Sequence, residues 1–209
     1  MIYFISDTHF FYKNFLKYNE TPWKTIEDYH KYIKENWNKK IKKKDIIYIL
    51  GDVCYKPTTE SFDFLNQLNG RKHLILGNHD NDIFTFLNNN PKYQNTFKSI
   101  QSYKTLNLPY KGQVRKIVLS HYPIVFYENQ HNDSILLYGH VHNTIEENIF
   151  RKICEEITKN TEIPMNCFNI SGMMPYMDFL PQTLEDIILK ANIYYKSLNK
   201  ELCYGVWFK

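Results

Sequence analysis

Five short apolar runs punctuate the chain, and each stops at a glycine or serine that is followed at once by aspartate, asparagine or histidine. Ile2 to Ile5 runs into Ser6-Asp7-Thr8-His9, Ile46 to Leu50 into Gly51-Asp52, and Leu74 to Leu76 into Gly77-Asn78-His79-Asp80. Ile117 to Leu119 runs into Ser120-His121, and Ile135 to Tyr138 into Gly139-His140-Val141-His142. A continuous apolar run of this length bounded by glycine predicts a strand buried on both faces, as in a parallel sheet. Between the first three runs the spacing changes to that of helices. Ile26, Tyr29, His30, Ile33 and Trp37 recur at i, i+3, i+4, i+7, with Thr21 or Thr25 placed to cap the start. Ser61 to Leu68 predicts a second helix with Phe62, Leu65 and Leu68 inward, and Ile83, Phe84 and Leu87 a third that ends before Pro91. The order β-α-β-α-β-α supports parallel pairing with right-handed crossovers.

From Ile100 the pattern shifts to short strands separated by turn signals, at Ser99 to Ser102, Thr105 to Leu108 and Lys116 to Leu119, with Lys111-Gly112 as a hairpin turn. A second, more antiparallel sheet is expected there. Thr144 to Pro164 reads as a polar, partly helical segment directly after His142, either a wall of a cleft or a surface insertion. Met165 to Ile170 predicts another strand. Pro181 to Asp186 predicts a capped helix start, with Leu184, Ile187, Ile188 and Ala191 as its buried face. Leu202 to Phe208 predicts a final edge strand.

The strand ends carry the candidate chemistry. In open α/β sheets, ligands bind beyond the carboxyl ends of the strands. Five of the eight histidines fall at such ends. Aspartate, asparagine and imidazole are ligands of divalent metals such as Mn, Fe, Zn and Mg. Two ions about 3.5–4 Å apart require several such groups and a carboxylate between them. The other histidines read differently: His30 belongs to a helical packing stripe, His73 to the surface, and His131 to a solvated polar loop.

The ordered set Asp7-x-His9, Gly51-Asp52, Gly77-Asn78-His79-Asp80, Ser120-His121 and Gly139-His140-x-His142 resembles the calcineurin-like metallophosphoesterases, and most of all their small, uncapped bacterial members. The resemblance implies an α/β fold, two mixed β-sheets packed face to face with flanking helices, as a single domain over residues 1–209. It implies hydrolysis of phosphate esters, diester or monoester, by metal-bound hydroxide. On that resemblance Asp7, His9 and His142 complete one metal site, and Asn78, His121 and His140 the other. Asp52, on a central strand between the two sets, is the candidate bridge. His140 and His142 share a face of an extended strand, so the Gly139 turn has to splay them. His79, left over, is placed to protonate the leaving group, with Asp80 accepting its other ring N–H. Manganese is favoured among Mn, Fe, Zn, Ni and Mg. The aromatic loop Phe10 to Asn14 either lines the substrate cleft or forms a flap over the core; small relatives carry Gly-His where this chain has Phe11-Tyr12.

Composition narrows the partners. The chain has 209 residues, 43% of them hydrophobic and 23% charged, as expected of a globular protein. No apolar run approaches the ~20 residues of a membrane span, and no leader is read at the N-terminus, so the expectation is a cytoplasmic protein without membrane contact. Net charge is +4, with only Arg71, Arg115 and Arg151 beside 23 lysines; the pattern assigns none of these arginines to a cleft. The Lys39 to Lys44 cluster reads as a solvated turn. Four scattered cysteines without a CxxC exclude a zinc-finger or thioredoxin motif and suit a reducing compartment. Cys54 reads as core. The expected substrate is a small phosphate ester or nucleotide. A nuclease is the alternative, since Phe10 to Tyr12 can stack bases and lysines can meet phosphates. A non-catalytic scaffold for a protein partner is the rival class, but such relatives typically lose ligands that this chain keeps. Oligomeric state is not legible.

Overall fold

The computed structural model describes residues 1–18 and 21–198. Its first sheet runs β1 (Ile2–Ile5), β2 (Ile46–Leu50), β3 (Arg71–Ile75), β4 (Phe97–Gln101), in that order and all parallel. The connections carry α1 (Phe15–Tyr18), α2 (Ile26–Lys40), α3 (Thr59–Gln67) and α4 (Ile83–Asn89). Thr25 caps α2 by accepting the Asp28 N–H, Glu27 and Asp28 lie in its first turn, and Lys39 and Lys40 in its last, each matching the sign of the helix dipole there. Helix α3 starts two residues before the expected Ser61, because Thr58 and Ser61 form a reciprocal capping box.

One expectation fails here. The Ser99 to Ser102 segment does not open the second sheet; Ser99 to Gln101 belong to β4 and complete the first, so this sheet is wholly parallel and only the second is mixed. The crossover through α4 returns the chain parallel to β3, and the change in sequence style at Ile100 marks an edge strand, half-exposed along Ser99 to Gln101. Of the three residues that marked α4, Ile83 and Leu87 are buried and Phe84 is exposed.

The second sheet runs β5 (Lys104–Tyr110), β6 (Gln113–Leu119), β7 (Ile135–Tyr138), β8 (Cys167–Asn169). Strands β5 and β6 form the expected hairpin around Lys111 and Gly112, whose φ values of 48° and 76° suit the twist-matched two-residue turn. The pairs β6–β7 and β7–β8 are parallel. Helix α5 (Ile145–Thr161) joins β7 to β8, and α6 (Leu184–Ser197), capped by Thr183, follows. The expected strand at Leu202 to Phe208 lies outside the described residues. Among the described residues no helix is long and apolar enough to cross a membrane.

Strand periodicity sorts the side chains into layers, because successive residues point to opposite faces. Tyr3, Ile5, Ile47, Ile49 and Leu74 face α2 and α3, around the fully buried Trp37, Ile33 and Phe62. Their neighbours Phe4, Tyr48, Leu50 and Ile75 face the second sheet, where they meet Ile117, Leu119, Ile135, Leu137 and Phe168, with α6 closing the layer through Leu184, Ile187, Ile188 and Ala191. Val118, Leu136 and Tyr138 face outward onto Phe150 and Cys154 of α5. The free edge of β1 is stitched to the segment after β8: Ser6 N–H donates to Ile170 O, and Gly172 N–H to Ser6 O. That stitching brings the carboxyl ends of both sheets to one place.

Candidate metal centre

Every strand-end residue singled out from the sequence arrives there. Asp7 and His9 follow β1, Asp52 follows β2, and Asn78, His79 and Asp80 follow β3. His121 follows β6, and His140 and His142 follow β7. Two groups form with ligand atoms close enough to hold one ion each: Asp7, His9 and His142, and Asp52, His121 and His140. In the first, His9 Nε2 is 3.2 Å from His142 Nε2, which is 3.6 Å from Asp7 Oδ1. In the second, His121 Nε2 is 3.6 Å from Asp52 Oδ1. Asn78 Oδ1 joins this second group, 3.0 Å from His121 Nε2 and 2.9 Å from His140 Nδ1. Asp52 reaches both, since its Oδ2 lies 3.9 Å from His9 Nε2.

The splaying of His140 and His142 has a backbone cause. Both take left-handed conformations, with φ of 70° and 47°, and one presents Nδ1 while the other presents Nε2. Asp7 (56°), His9 (43°) and Asp52 (51°) are left-handed as well. Such conformations cost about 1–3 kcal/mol each for residues with a side chain and gather at functional sites. Glycine punctuation permits the close approach of the loops. A Cβ on Gly139 would strike Ser6 and the Asp7 carboxylate, and one on Gly77 would sit 2.7 Å from the Asp52 backbone nitrogen as well as against its carboxylate.

The donor set fits divalent ions. Nδ1 of the buried His121 is 2.8 Å from Leu50 O, a carbonyl that only accepts, so Nδ1 donates there and Nε2 is the ring nitrogen presented to Asn78 Oδ1. The Asn78 amide oxygen thus lies within 3.0 Å of two imidazole nitrogens, His121 Nε2 and His140 Nδ1, an oxygen and nitrogen cluster that suits a borderline divalent cation. Burial pulls His9 down to about 4, and pulls His140 down with help from His121, so both favour the neutral form that metal ligation requires. Burial opposes the charged forms of Asp7 and His142 too, but their mutual attraction wins, lowering Asp7 and raising His142.

Asp80 corrects the sequence reading. Its carboxylate is buried and accepts three backbone N–H groups: Asp52 at 2.9 Å and Gly77 at 2.8 Å on Oδ2, and Val53 at 3.2 Å on Oδ1. The His79 ring turns instead toward Asp52, with Nε2 4.0 Å from Oδ2, while the His79 N–H donates to Asp52 Oδ1 at 2.9 Å. Asp80 thus shapes the loop pair that presents Asp52 and Asn78. Burial, reinforced by the charge of Asp52, raises its pKa against the pull of the three N–H donors. The His79 side chain, 46% exposed, stands at the mouth of the site.

The remaining histidines and Cys54 largely follow expectation. His131 is exposed. His30 packs among Phe10, Phe11 and Phe64, and its Nε2 accepts the Phe11 N–H; burial lowers it to about 4. His73 is half-buried, stacking on Tyr48 and bonding Ser99. Cys54 is fully buried, and burial pushes its thiol up to about 12, which suits packing. The aromatic loop divides between its two expected roles. Phe10 is core, whereas Tyr12 stacks on half-exposed Tyr55 at 4.7 Å, its ring 6.0 Å from that of His9.

A buried polar network behind His142 was not foreseen. The Glu147 carboxylate accepts from Tyr138 (2.9 Å), Tyr195 (2.7 Å), Arg151 (2.7 Å) and Asn169 (3.0 Å). The Asn169 amide also donates to the carbonyl of His142 at 2.8 Å, and Arg151 to the carbonyl of Cys167. Arginine at position 151 therefore supports the site from inside the protein, and α5 is structural on this face.

A family model described as calcineurin-like phosphoesterase matches residues 1–163. The chain is 33% identical over 149 residues to the uncharacterized protein MJ1445 of Methanocaldococcus jannaschii, covering 70% of this chain and 72% of that one. It is 31% identical over 136 residues to the Gene 66 protein of Mycobacterium phage D29, covering 56% and 68%. Among solved structures, the protein of unknown function AQ665 from Aquifex aeolicus superposes with a TM-score of 0.64 at 29% identity, over 90% of this chain and 97% of that one.

Proposed function

Since the chain belongs to the calcineurin-like phosphoesterases, we propose that it hydrolyses phosphodiesters or phosphomonoesters at a centre of two divalent ions. The observation that carries this reading is the position of Asp52, within reach of both ligand groups. Asp7, His9 and His142 would hold one ion, Asn78, His121 and His140 the other, and Asp52 would bridge them. Bound there, the ions supply charge neutralisation at the phosphoryl oxygens and a more acidic water.

The chain supplies the remainder. His79, at the mouth and close to Asp52, is placed to hand a proton to the leaving oxygen. Asp80 keeps the Gly51-Asp52 and Gly77-Asn78 turns in register. Oxygen and imidazole donors without cysteine favour manganese as the first metal to test. The three described cysteines are free and buried, which suits a reducing cytoplasm.

A nuclease is the second reading, favoured by one feature: the Tyr12–Tyr55 stack beside His9, with Lys56 Nζ 5.7 Å from the Tyr55 ring, offers a base-stacking platform next to the centre. The Lys39 to Lys44 run does not add to it, because it lies before β2, at the opposite end of the first sheet.

Manganese-dependent hydrolysis of bis-(p-nitrophenyl) phosphate, beside p-nitrophenyl phosphate and a single-stranded oligonucleotide, tests these readings. Asp52→Asn is expected to abolish turnover and lower metal content from about two ions per chain to fewer than one. A variant that keeps two ions removes Asp52 as the bridge. Parent protein loaded with two ions but inert on all three substrates counts against the phosphoesterase reading as stated.

A further inference from the structure

Helix α5 exposes the wrong residues for a helix with one apolar face. Its buried side carries Glu147, Phe150, Arg151 and Cys154, while Ile145, Ile149 and Ile153 are 70%, 52% and 39% exposed. These isoleucines recur every four residues and so form one ridge. The ridge borders an open groove of about 210 Å³, lined by Pro123, His140, Val141, Ile149, Phe150 and Ile153, with Glu146 as its one charged residue. His140 belongs to the candidate centre as well. The half-exposed Tyr122 packs against that imidazole at 4.7 Å.

We propose that this groove is a substrate subsite that takes an uncharged, apolar arm of the phosphate ester, an alkyl chain or aromatic ring, while the phosphoryl group sits at the metals. The inference rests on the phosphoesterase reading and adds the substrate class. Three features select this occupant. The groove shares His140 with the centre, so it lies within reach of an arm of whatever the centre holds. Its walls offer carbon, and covering a row of isoleucines is favourable at roughly 25 cal/mol per Å². Glu146 repels a second anionic group, which keeps the phosphoryl end at the metals and disfavours a polyanionic substrate. The volume corresponds to roughly seven waters, enough for about six methylenes or one ring.

The test is calorimetric binding of methyl-, butyl- and hexylphosphonate to the manganese-loaded protein, with Ile149→Gln and Ile153→Gln for comparison. Glutamine keeps helix propensity at these exposed positions. Affinity is expected to rise at least about tenfold from methyl to hexyl in the parent, and the rise is expected to collapse in the double variant. If methylphosphonate binds without any gain along the series, the subsite is overturned and the phosphoesterase reading stands. A gain that persists in the double variant places the chain elsewhere and also overturns it. If no phosphonate binds the two-metal protein, both fall.

Discussion

Each sheet contributes half of the candidate centre, and each half is braced by one buried carboxylate, but the two braces differ in kind. In the first sheet Asp80 is held by three backbone N–H groups. In the second, Glu147 faces side chains: an arginine, two tyrosines and an asparagine. The first brace is local, tying two adjacent strand-end turns within a few residues of their ligands. The second reaches from α5 through Asn169 to the carbonyl of His142, and on to α6 through Tyr195. A parallel sheet with short turns needs only backbone satisfaction. A mixed sheet whose ligand loop leads into a long helix has to fix that helix too.

The largest expected effect separates the chemistry from both braces. His79→Ala is expected to keep its metals and lose roughly 10²–10⁴-fold in turnover, the usual worth of a proton donor; unchanged turnover, measured beside metal content, removes His79 from the mechanism. Next is Asp80→Ala, which leaves three buried N–H groups without their acceptor. At about 1–3 kcal/mol for each buried unsatisfied group, a loss of at least about 3 kcal/mol is expected, read as a melting temperature lowered by roughly 6–12 °C. Both ligand groups should weaken together, because Asp52 serves both.

Asn169→Ala sharpens the contrast. It is expected to weaken metal binding about 10–100-fold at the Asp7, His9, His142 group alone, as for other supporting residues, with the second ion retained in a metal titration. Equal losses at both positions would show that the two braces are one unit. The narrowest effect is a change of slope in acid. Burial alone would raise Glu147, but the Arg151 charge and the Arg151, Tyr195 and Tyr138 hydrogen bonds hold it below its ordinary 4.5. A carboxylate lowered in the folded state contributes stability above its unfolded pKa and loses it as pH falls through the folded one. His9, held neutral by burial, already costs the metal-free protein stability as pH falls from about 6.5 toward 4. Glu147→Gln leaves the buried Arg151 charge without its carboxylate, so it should lower the melting temperature across the neutral range and flatten the profile below about pH 4.5, while the slope between about 6.5 and 4.5, set by His9, is kept.

The contrast also explains what the sequence disclosed. The first-sheet ligands were legible because strand, glycine and ligand are contiguous, so periodicity and punctuation place them without knowledge of packing. The same grammar found His121, His140 and His142. Asp80 was found but given the wrong neighbour, because adjacency in the chain cannot say that His79 and Asp80 turn apart. Glu147 and Arg151 were missed, since an i, i+4 acid–base pair on a polar helix reads as solvated. Only the outward face of β7, with Tyr138 presented toward α5, makes it a buried pair. A trace was present, however. The isoleucines of α5 and its Phe150–Cys154 stripe span too wide an arc for one packing face, a sign that the helix has two. Asn169 carried no such signal.

The cluster of left-handed ligands has a consequence for how this chain can change. At Asp7, His9, Asp52, His140 and His142 the backbone asks for glycine and the chain supplies a candidate ligand instead. Glycine at any of these positions relieves backbone strain at the same step that it discards a donor. Drift toward a sturdier fold and drift toward a silent one therefore share their first substitutions. A descendant freed from catalysis would be expected to accumulate glycines at its strand ends while its sheets and helices stayed as they are.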